Sequence, residues 1–154
     1  MERLFVAGML HDVGQVVLSA ARPEVIRGLL EAQRDTGRLY LDLERERLGF
    51  DHAELGGALL KKWKIPASIG EPVACHHNPG SAEQFRLETA LVHLADIVCQ
   101  AMELGQGAEW GVPPLDGPAW ERLGVSPHML GAVLKQSEPQ IAETFAILSG
   151  GVDD

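Results

Sequence analysis

The sequence predicts an all-α fold, and three observations support this class. Apolar residues recur at helical spacing, as in the stripe Leu55, Leu59 and Trp63. No segment shows the sustained alternation of a half-buried strand. Prolines, glycines and capping residues divide the chain into helical segments. Because 154 residues form one domain of ordinary size, we expect a single domain over 1–149 and a flexible tail over 150–154.

The N-terminal part predicts two helices and a charged segment. The first helix is expected from Glu2 to Ala20, and because it is apolar on nearly all sides up to Leu10, it should be central. Pro23 suits the first turn of the second helix, which Gly37 ends. A charged, amphipathic segment, YLDLERERLG, leads to the next helix.

The middle of the chain carries a capping pattern and a proline within a helix. Asp51 has the position of an N-cap and Glu54 lies three residues later, so capping is a better interpretation of both residues than metal ligation. Pro66 can start the following helix, PASIGEPVACHH. Pro72 inside it removes a backbone donor and should kink or divide that helix.

The C-terminal part predicts one long helix and several shorter ones. Ser81 is the expected cap of a helix over about 82–104, which has a broad apolar face. After a proline-rich loop and a short helix, Pro127 opens another helix. A last helix is expected from about Pro139 to Leu148.

Composition and charge exclude several classes of function. The formal net charge of -9 and the absence of a Lys or Arg run argue against a nucleic-acid partner. No apolar run approaches the roughly 18 residues of a membrane helix, and no signal peptide is visible, so we expect a cytoplasmic protein without a membrane partner. Cys75 and Cys99 lack metal-binding spacing and are expected to be buried, reduced thiols without a disulfide.

Four of the six histidines and two aspartates are placed as the ligands of a helical metal site would be. These residues are His11, Asp12, His52, His76, His77 and Asp96. Imidazole nitrogen with carboxylate oxygen suits iron, manganese, zinc or nickel. A carboxylate bridging two ions about 3.5–4 Å apart is common in phosphate-ester hydrolysis, and Asp12 is the candidate bridge. Asp96 lies among apolar residues, where an ionised carboxylate needs a cation or several donors.

Several of these residues also have an interpretation that requires no metal. A single intrahelical histidine, such as His52 or His93, is more often a hydrogen-bonded core residue than a ligand. His128 is expected to be solvated at a helix start. His93 and Asp96 lie three residues apart on one helix side, either as a ligand pair or as a carboxylate that orients a histidine.

The adjacent pair His76-His77 imposes a condition on any metal site. Neighbouring residues of a regular helix point about 100° apart, so both rings can serve one centre only at a helix end or a kink. Pro79 and Gly80 supply such an end.

The order of these motifs resembles the HD superfamily of metal-dependent phosphohydrolases, and within it the HDOD family of bacterial signalling domains. The segments AGMLHDVGQVVL, LGFDHAELGGALLKKWKIP and ALVHLADIV are more similar to HDOD than to the related HD-GYP cyclic-dinucleotide phosphodiesterases. The resemblance covers about 4–104, and Gly14 matches the small residue after the HD pair. It implies that His11, Asp12 and Asp96 bind one metal ion. By similarity to HD-GYP, it implies that His52, His76 and His77 help bind a second.

Three departures from active relatives favour a non-catalytic domain. Gln15 stands where active relatives carry Lys, so a cation suited to gripping phosphate is missing. No GYP signature follows the double histidine, and no ligand histidine precedes His11. HDOD domains usually carry a helical half upstream of the HD motif, so we expect a fragment, or a short relative completed by a partner or by homo-oligomer formation.

Two functions are therefore predicted as alternatives. The first is an HDOD-type bacterial signalling module, a non-catalytic scaffold that retains a divalent metal or none and contacts other signalling proteins. The second is a metal-dependent phosphohydrolase, in which a metal-bound hydroxide held at Asp12 attacks a phosphate ester. Gln15 and His93 are assigned supporting roles.

Overall fold

The structure, a computed structural model, describes residues 2–102, 104 and 111–148, apart from the side chains of Phe145 and Leu148. Over these residues it contains helices and no strand, which confirms the all-α prediction. The helices are α1 (Glu2–Leu10), α2 (Val13–Ala21), α3 (Pro23–Thr36), α4 (Tyr40–Leu48), α5 (His52–Lys62), α6 (Ala67–Cys75), α7 (Arg86–Ala101), α8 (Gly117–Leu123) and α9 (Pro127–Leu148). A 3-10 turn spans Pro79–Ser81.

The chain divides into two compact units, Met1–Leu123 and Gly124–Asp154. Helices α1 to α8 belong to the first unit and α9 to the second. The prediction of one domain over 1–149 stays a prediction, and the expected tail lies outside the described residues. Pro139 lies inside α9, so the prediction of a helix that begins there is wrong. A proline removes one backbone donor, and here the helix continues through that loss.

The predicted first helix is interrupted at His11 and Asp12. Asp12 has φ -99° and ψ 14°, outside the regular helical region, and separates α1 from α2. On α1 only Ala7 is buried, whereas Phe5 and Met9 are 69% and 68% exposed. The predictions of a continuous helix and of a central position are both wrong, because an apolar pattern does not report whether neighbours cover it.

The stretch Glu2–Ala21 has the length and composition of a membrane-crossing helix, with a hydropathy of 1.5. This contradicts the expectation that no stretch would qualify. Core helices and N-terminal signal sequences pass the same test, so the stretch is weak evidence for a span; 17% of it is buried here. The turn between α1 and α2 divides it.

A hydrophobic cluster joins α2, α3 and α4. Its buried members are Leu18, Ile26, Leu29, Tyr40 and Leu43. Full burial of such an aliphatic side chain contributes about 1.5–3 kcal/mol. Helix α3 ends at Gly37 in the left-handed region, φ 66°, as predicted. The cluster fixes α4, which leads directly to the start of α5.

Glycines bring α2, α5 and α6 into backbone contact. A Cβ added at Gly14 would overlap the carbonyl oxygen of His52, and one added at Gly57 would overlap the side chain of Ala74. Only glycine permits approaches this close. They place the α1–α2 turn, the start of α5 and the end of α6 beside one another.

Helix α7 begins at Arg86, later than predicted, and Ser81 does not cap it. The Ser81 hydroxyl instead donates to the Asn78 carbonyl at 2.7 Å. The carboxylate of Glu71 accepts the backbone N–H groups of residues 83–85, at 2.6 to 3.2 Å. Glu71 therefore satisfies donors before α7 that the sequence analysis had assigned to a local cap.

The two cysteines are free thiols, as predicted. Cys75 is half-buried, but Cys99 is exposed on α7, so the prediction that both are buried is wrong. Trp63, assigned to the apolar stripe of α5, is the C-cap of that helix and 53% exposed. Apolar spacing extends here beyond the surface that neighbouring helices cover.

Candidate metal centre

All six predicted ligands converge within the first unit, and we call them the His–Asp cluster. They come from the α1–α2 turn, the first residue of α5, the chain directly after α6, and α7. In that order they are His11 and Asp12, His52, His76 and His77, and Asp96. Residues up to 85 apart in sequence are thus brought together by helix packing.

His52 is positioned by the capped start of α5. Asp51 accepts from the Glu54 backbone N–H at 2.9 Å, and Glu54 accepts in return from the Asp51 N–H at 3.3 Å. Arg45 pairs with the second Asp51 oxygen at 2.7 Å. The predicted capping role of Asp51 and Glu54 is confirmed, and these carboxylates hold the helix end that carries His52.

His76 and His77 lie where α6 ends. His76 is the C-cap residue, and the ring centroids of the pair are 4.0 Å apart. The prediction that both rings can serve one place only at a helix end agrees with this arrangement. The Nδ1 of His76 donates to the Val73 carbonyl at 2.8 Å, while its buried Nε2 has no hydrogen-bond partner among the described residues.

Asp12 lies between the other members of the cluster. Its Oδ1 is 3.4 Å from His52 Nε2 and 3.9 Å from His76 Nε2. Its Oδ2 is 3.2 Å from His11 Nε2. The two oxygens face different imidazoles, as a bridging carboxylate requires; the bridging role itself stays a prediction.

Asp96 closes the cluster from α7. Its Oδ1 accepts from the Gln100 amide at 2.9 Å and lies 3.7 Å from His11 Nε2. Its buried Oδ2 has no hydrogen-bond partner among the described residues and lies 3.9 Å from His77 Nδ1. The Nε2 of His77 is 2.9 Å from that of His52. Burial of the ionised Asp96 Oδ2 destabilises the protein unless a counter-charge is present.

The donor set fits a divalent transition metal. Three imidazoles have Nδ1 engaged, His11 by the Gly8 carbonyl at 2.7 Å, His52 by a carboxylate at 2.6 Å, and His76 by a carbonyl. Histidines that bind metals show this outer hydrogen bond, which fixes the ring and leaves Nε2 for the ion. Ligand atoms of His52, His76 and His77 lie within 4.8 Å of one another. Imidazole-rich sites suit transition metals better than calcium.

Charge is unevenly distributed over the four imidazoles. Burial disfavours protonation of His11, but hydrogen bonds to Asp12 and Asp96 outweigh it and raise its pKa to about 11. Burial also disfavours protonated His52, yet its carboxylate partners raise its pKa to about 10. At neutral pH, without a metal, these two rings are therefore cations that balance the carboxylates. An ion entering here would replace their protons.

The other two imidazoles are neutral at physiological pH. Burial, together with the charges on His52 and His11, lowers the pKa of His76 to about 4. Burial and the neighbouring imidazoles also lower the pKa of His77. Metal ligation uses the neutral imidazole, so these rings already have the required form.

The supporting residues differ in how they relate to the cluster. His93 is buried; its Nδ1 donates to the His76 carbonyl at 2.7 Å, and its Nε2 accepts from the Asp116 N–H at 3.0 Å. Because backbone groups engage both nitrogens, His93 is neither paired with Asp96 as a ligand nor oriented by it. Gln15 is half-buried on α2, and His128 is exposed, as predicted.

Glu44 supports the cluster but was not among the residues predicted from the sequence. This residue is 0% exposed on α4, and its Oε2 accepts from both the ring Nδ1 and the backbone N–H of His52, at 2.6 and 3.1 Å. A signal was present, since Glu44 lies four residues from both Tyr40 and Leu48, on the apolar side of α4. A carboxylate on a buried stripe requires a partner.

An apolar cavity of about 310 Å³ lies beside the cluster, between α1 and α7. His11 and Asp96 form part of its lining, together with Leu4, Gly8, Leu91, Val92, Ala95 and Cys99. The cluster is therefore bordered on this side by an apolar opening.

The comparison with protein families agrees with the geometry. The model of the HDOD domain matches residues 1–79, half of the chain. The chain belongs to the HDOD domain family. The matched segment contains five members of the His–Asp cluster, and Asp96 lies beyond it. The resemblance drawn from the HD motifs is confirmed.

Two relatives extend this comparison. A crystal structure of an HDOD domain protein of unknown function from Geobacter sulfurreducens has a TM-score of 0.74 and 26% identity, and the match covers 90% of this chain. An uncharacterized protein of Treponema pallidum (strain Nichols) is 30% identical over 102 residues, 64% of this chain. This HDOD chain spans 51% of the solved relative and 20% of the Treponema protein.

Proposed function

We propose that this HDOD chain is a regulatory module that holds a divalent transition metal and acts through contacts with other signalling proteins in the bacterial cytoplasm. One observation carries the metal proposal: three imidazoles are anchored through Nδ1 so that Nε2 faces the same small volume around Asp12. Anchoring of this kind is typical of metal-binding histidines.

The residues that would bind metal lie in two groups, on opposite sides of Asp12. His11 and Asp96 flank one side of Asp12, and His52 and His76, at the start of α5 and just after α6, flank the other. Iron, manganese, zinc or nickel suits this mixture of nitrogen and oxygen donors. Bound ions of this kind polarise phosphate esters and activate water.

Exposed apolar side chains on the two helices that flank the α1–α2 turn favour protein contacts. Phe5, Met9 and Val16 are 69%, 68% and 66% exposed on α1 and α2. Phe5 and Met9 lie four residues apart on one face of α1, and an apolar patch exposed in this way marks an interaction surface. Gln15 adds no positive charge where active relatives carry Lys, which favours regulation over phosphate-ester turnover.

Elemental analysis of the untagged protein tests the metal proposal. We expect about one or two ions per chain, a loss of metal in Asp12→Ala, and a melting temperature that falls on chelation, because an ion at 100 times its Kd stabilises the native state by about 2.7 kcal/mol. His128→Ala, which changes an exposed histidine, should keep its metal. Wild-type protein that takes up none of the four metals would overturn the proposal.

A metal-dependent phosphohydrolase is the second candidate, and the geometry of Asp12 favours it. Two carboxylate oxygens that face separate imidazoles suit a two-ion site. Metal-loaded protein would then release phosphate from simple phosphomonoesters, and His77→Ala would abolish this release. Metal without turnover, together with a specific protein partner, would decide for the regulatory module.

A further inference from the structure

The buried carboxylate of Glu44 lies outside the His–Asp cluster but contacts one of its members. Oε2 accepts two hydrogen bonds from His52, one from the ring Nδ1 at 2.6 Å and one from the backbone N–H at 3.1 Å. A single oxygen thus holds both the backbone and the ring of the same residue. Such a double contact restricts the side-chain torsions as well as the position of the ring.

Glu44 is itself held in place by the protein core. It is 0% exposed, and its helix neighbours Tyr40, Leu41 and Leu43 are also buried. Tyr40 and Leu43 belong to the cluster that joins α2, α3 and α4. The position of the carboxylate is therefore set by packed apolar side chains, which have few alternative arrangements.

We propose that Glu44 is the positioning residue of the metal centre: it keeps the proton of His52 on Nδ1 and orients the ring so that Nε2 faces Asp12 and His77. This inference rests on the proposed metal-binding function. Without the carboxylate, the buried ring would lose its charged acceptor and could turn away from the 3.4 Å approach to Asp12.

Asp51 provides a matched control. Both carboxylates are buried beside the start of α5, and both accept a backbone N–H there, Glu44 from His52 and Asp51 from Glu54. The Asp51 oxygens pair with the Glu54 N–H and with Arg45, whereas Oε2 of Glu44 accepts from the imidazole of His52. Asp51→Asn therefore weakens the helix start while leaving the proposed ring contact intact.

The test uses the full chain and Co²⁺ as a spectroscopic probe. Glu44→Gln should bind Co²⁺ about 10–100-fold more weakly than wild type and change its visible absorption bands, because outer hydrogen bonds tune ligand strength. Asp51→Asn should lower the urea midpoint and change the Co²⁺ affinity and spectrum less than Glu44→Gln does, because Asp51 caps the α5 backbone whereas Glu44 also holds the ring. Wild-type affinity and spectrum in Glu44→Gln, or equal losses in the two variants, would overturn the proposal.

Imidazole NMR of the metal-free protein separates this inference from the proposed function. Wild type should show a downfield, slowly exchanging Nδ1–H signal from His52, and Glu44→Gln should lose it. If wild type binds no Co²⁺, the metal proposal fails, while this signal still decides whether Glu44 positions the ring. An unchanged signal in Glu44→Gln overturns the inference. If that variant does not fold, Glu44→Asp, which keeps the charge and shortens the reach, is measured by the same criteria.

Discussion

Replacement of Gly14 by alanine should separate α2 from α5 and destabilise the first unit. The new Cβ would overlap the His52 carbonyl oxygen and would lie 2.8 Å from Gly56 N and 3.0 Å from the His52 carbonyl carbon. These are backbone atoms, which cannot rotate away, so the helices must shift. Overpacking costs about 1–3 kcal/mol, and we expect the upper part of this range.

Urea unfolding of Gly14→Ala and Gly8→Ala measures this cost. Gly8 is also helical, but a Cβ there meets nothing within 4 Å. Alanine at Gly8 should therefore be neutral or stabilise the protein by up to about 1 kcal/mol through helix propensity. If Gly14→Ala unfolds at the same urea concentration as Gly8→Ala, the backbone contact does not constrain the helices, and the argument is refuted.

Three further predictions concern stability. Burial raises the pKa of Glu71, but hydrogen bonds from the backbone of Glu83, Phe85 and Gln84 outweigh it and lower the pKa below 4.5. Glu71→Gln should therefore lower the free energy of unfolding by about 1–2 kcal/mol at pH 7. In urea titrations, the difference from wild type should vanish as the pH falls through the lowered pKa. Leu29→Ala should lower the free energy of unfolding by about 2–5 kcal/mol, because Leu29 is 0% exposed. Leu87 is 49% exposed, so Leu87→Ala should lower it by less than about 1 kcal/mol in the same assay. Gly37→Ala should raise the free energy of the folded state by about 1 kcal/mol, since φ is 66° there, and an unchanged melting temperature would contradict this.

Local signals predicted much of the fold. Capping by Asp51 and the stop at Gly37 depend on neighbouring residues, and both are confirmed. The interruption of the first helix at Asp12 and the late start of α7 were not predicted. The α7 start depends on Glu71, whose carboxylate reaches it from another helix. A contact across 12 or more residues leaves no periodic trace in the sequence.

The members of the His–Asp cluster could be named from the sequence, but the residues that support them could not. Residue type and motif order identified all six members of the His–Asp cluster. Glu44 was overlooked because its segment carries many charges, although its spacing from Tyr40 and Leu48 places it on the apolar side of α4, where the structure buries it. The role of His93 was likewise open until Asp116 was seen to donate to it.

The spacing of the cluster depends on backbone contact as well as on side chains. Gly14, two residues after Asp12, lies against the carbonyl of His52, the residue that Asp12 faces at 3.4 Å. Gly57 on α5 makes a similar contact with Ala74, two residues before His76. In both of these pairs of segments, the contact therefore lies within two residues of a cluster member on at least one side. Replacing one member of the His–Asp cluster would leave the distances between the helices unchanged. A larger residue at Gly14 or Gly57 would instead change the distances between cluster members that are themselves unaltered.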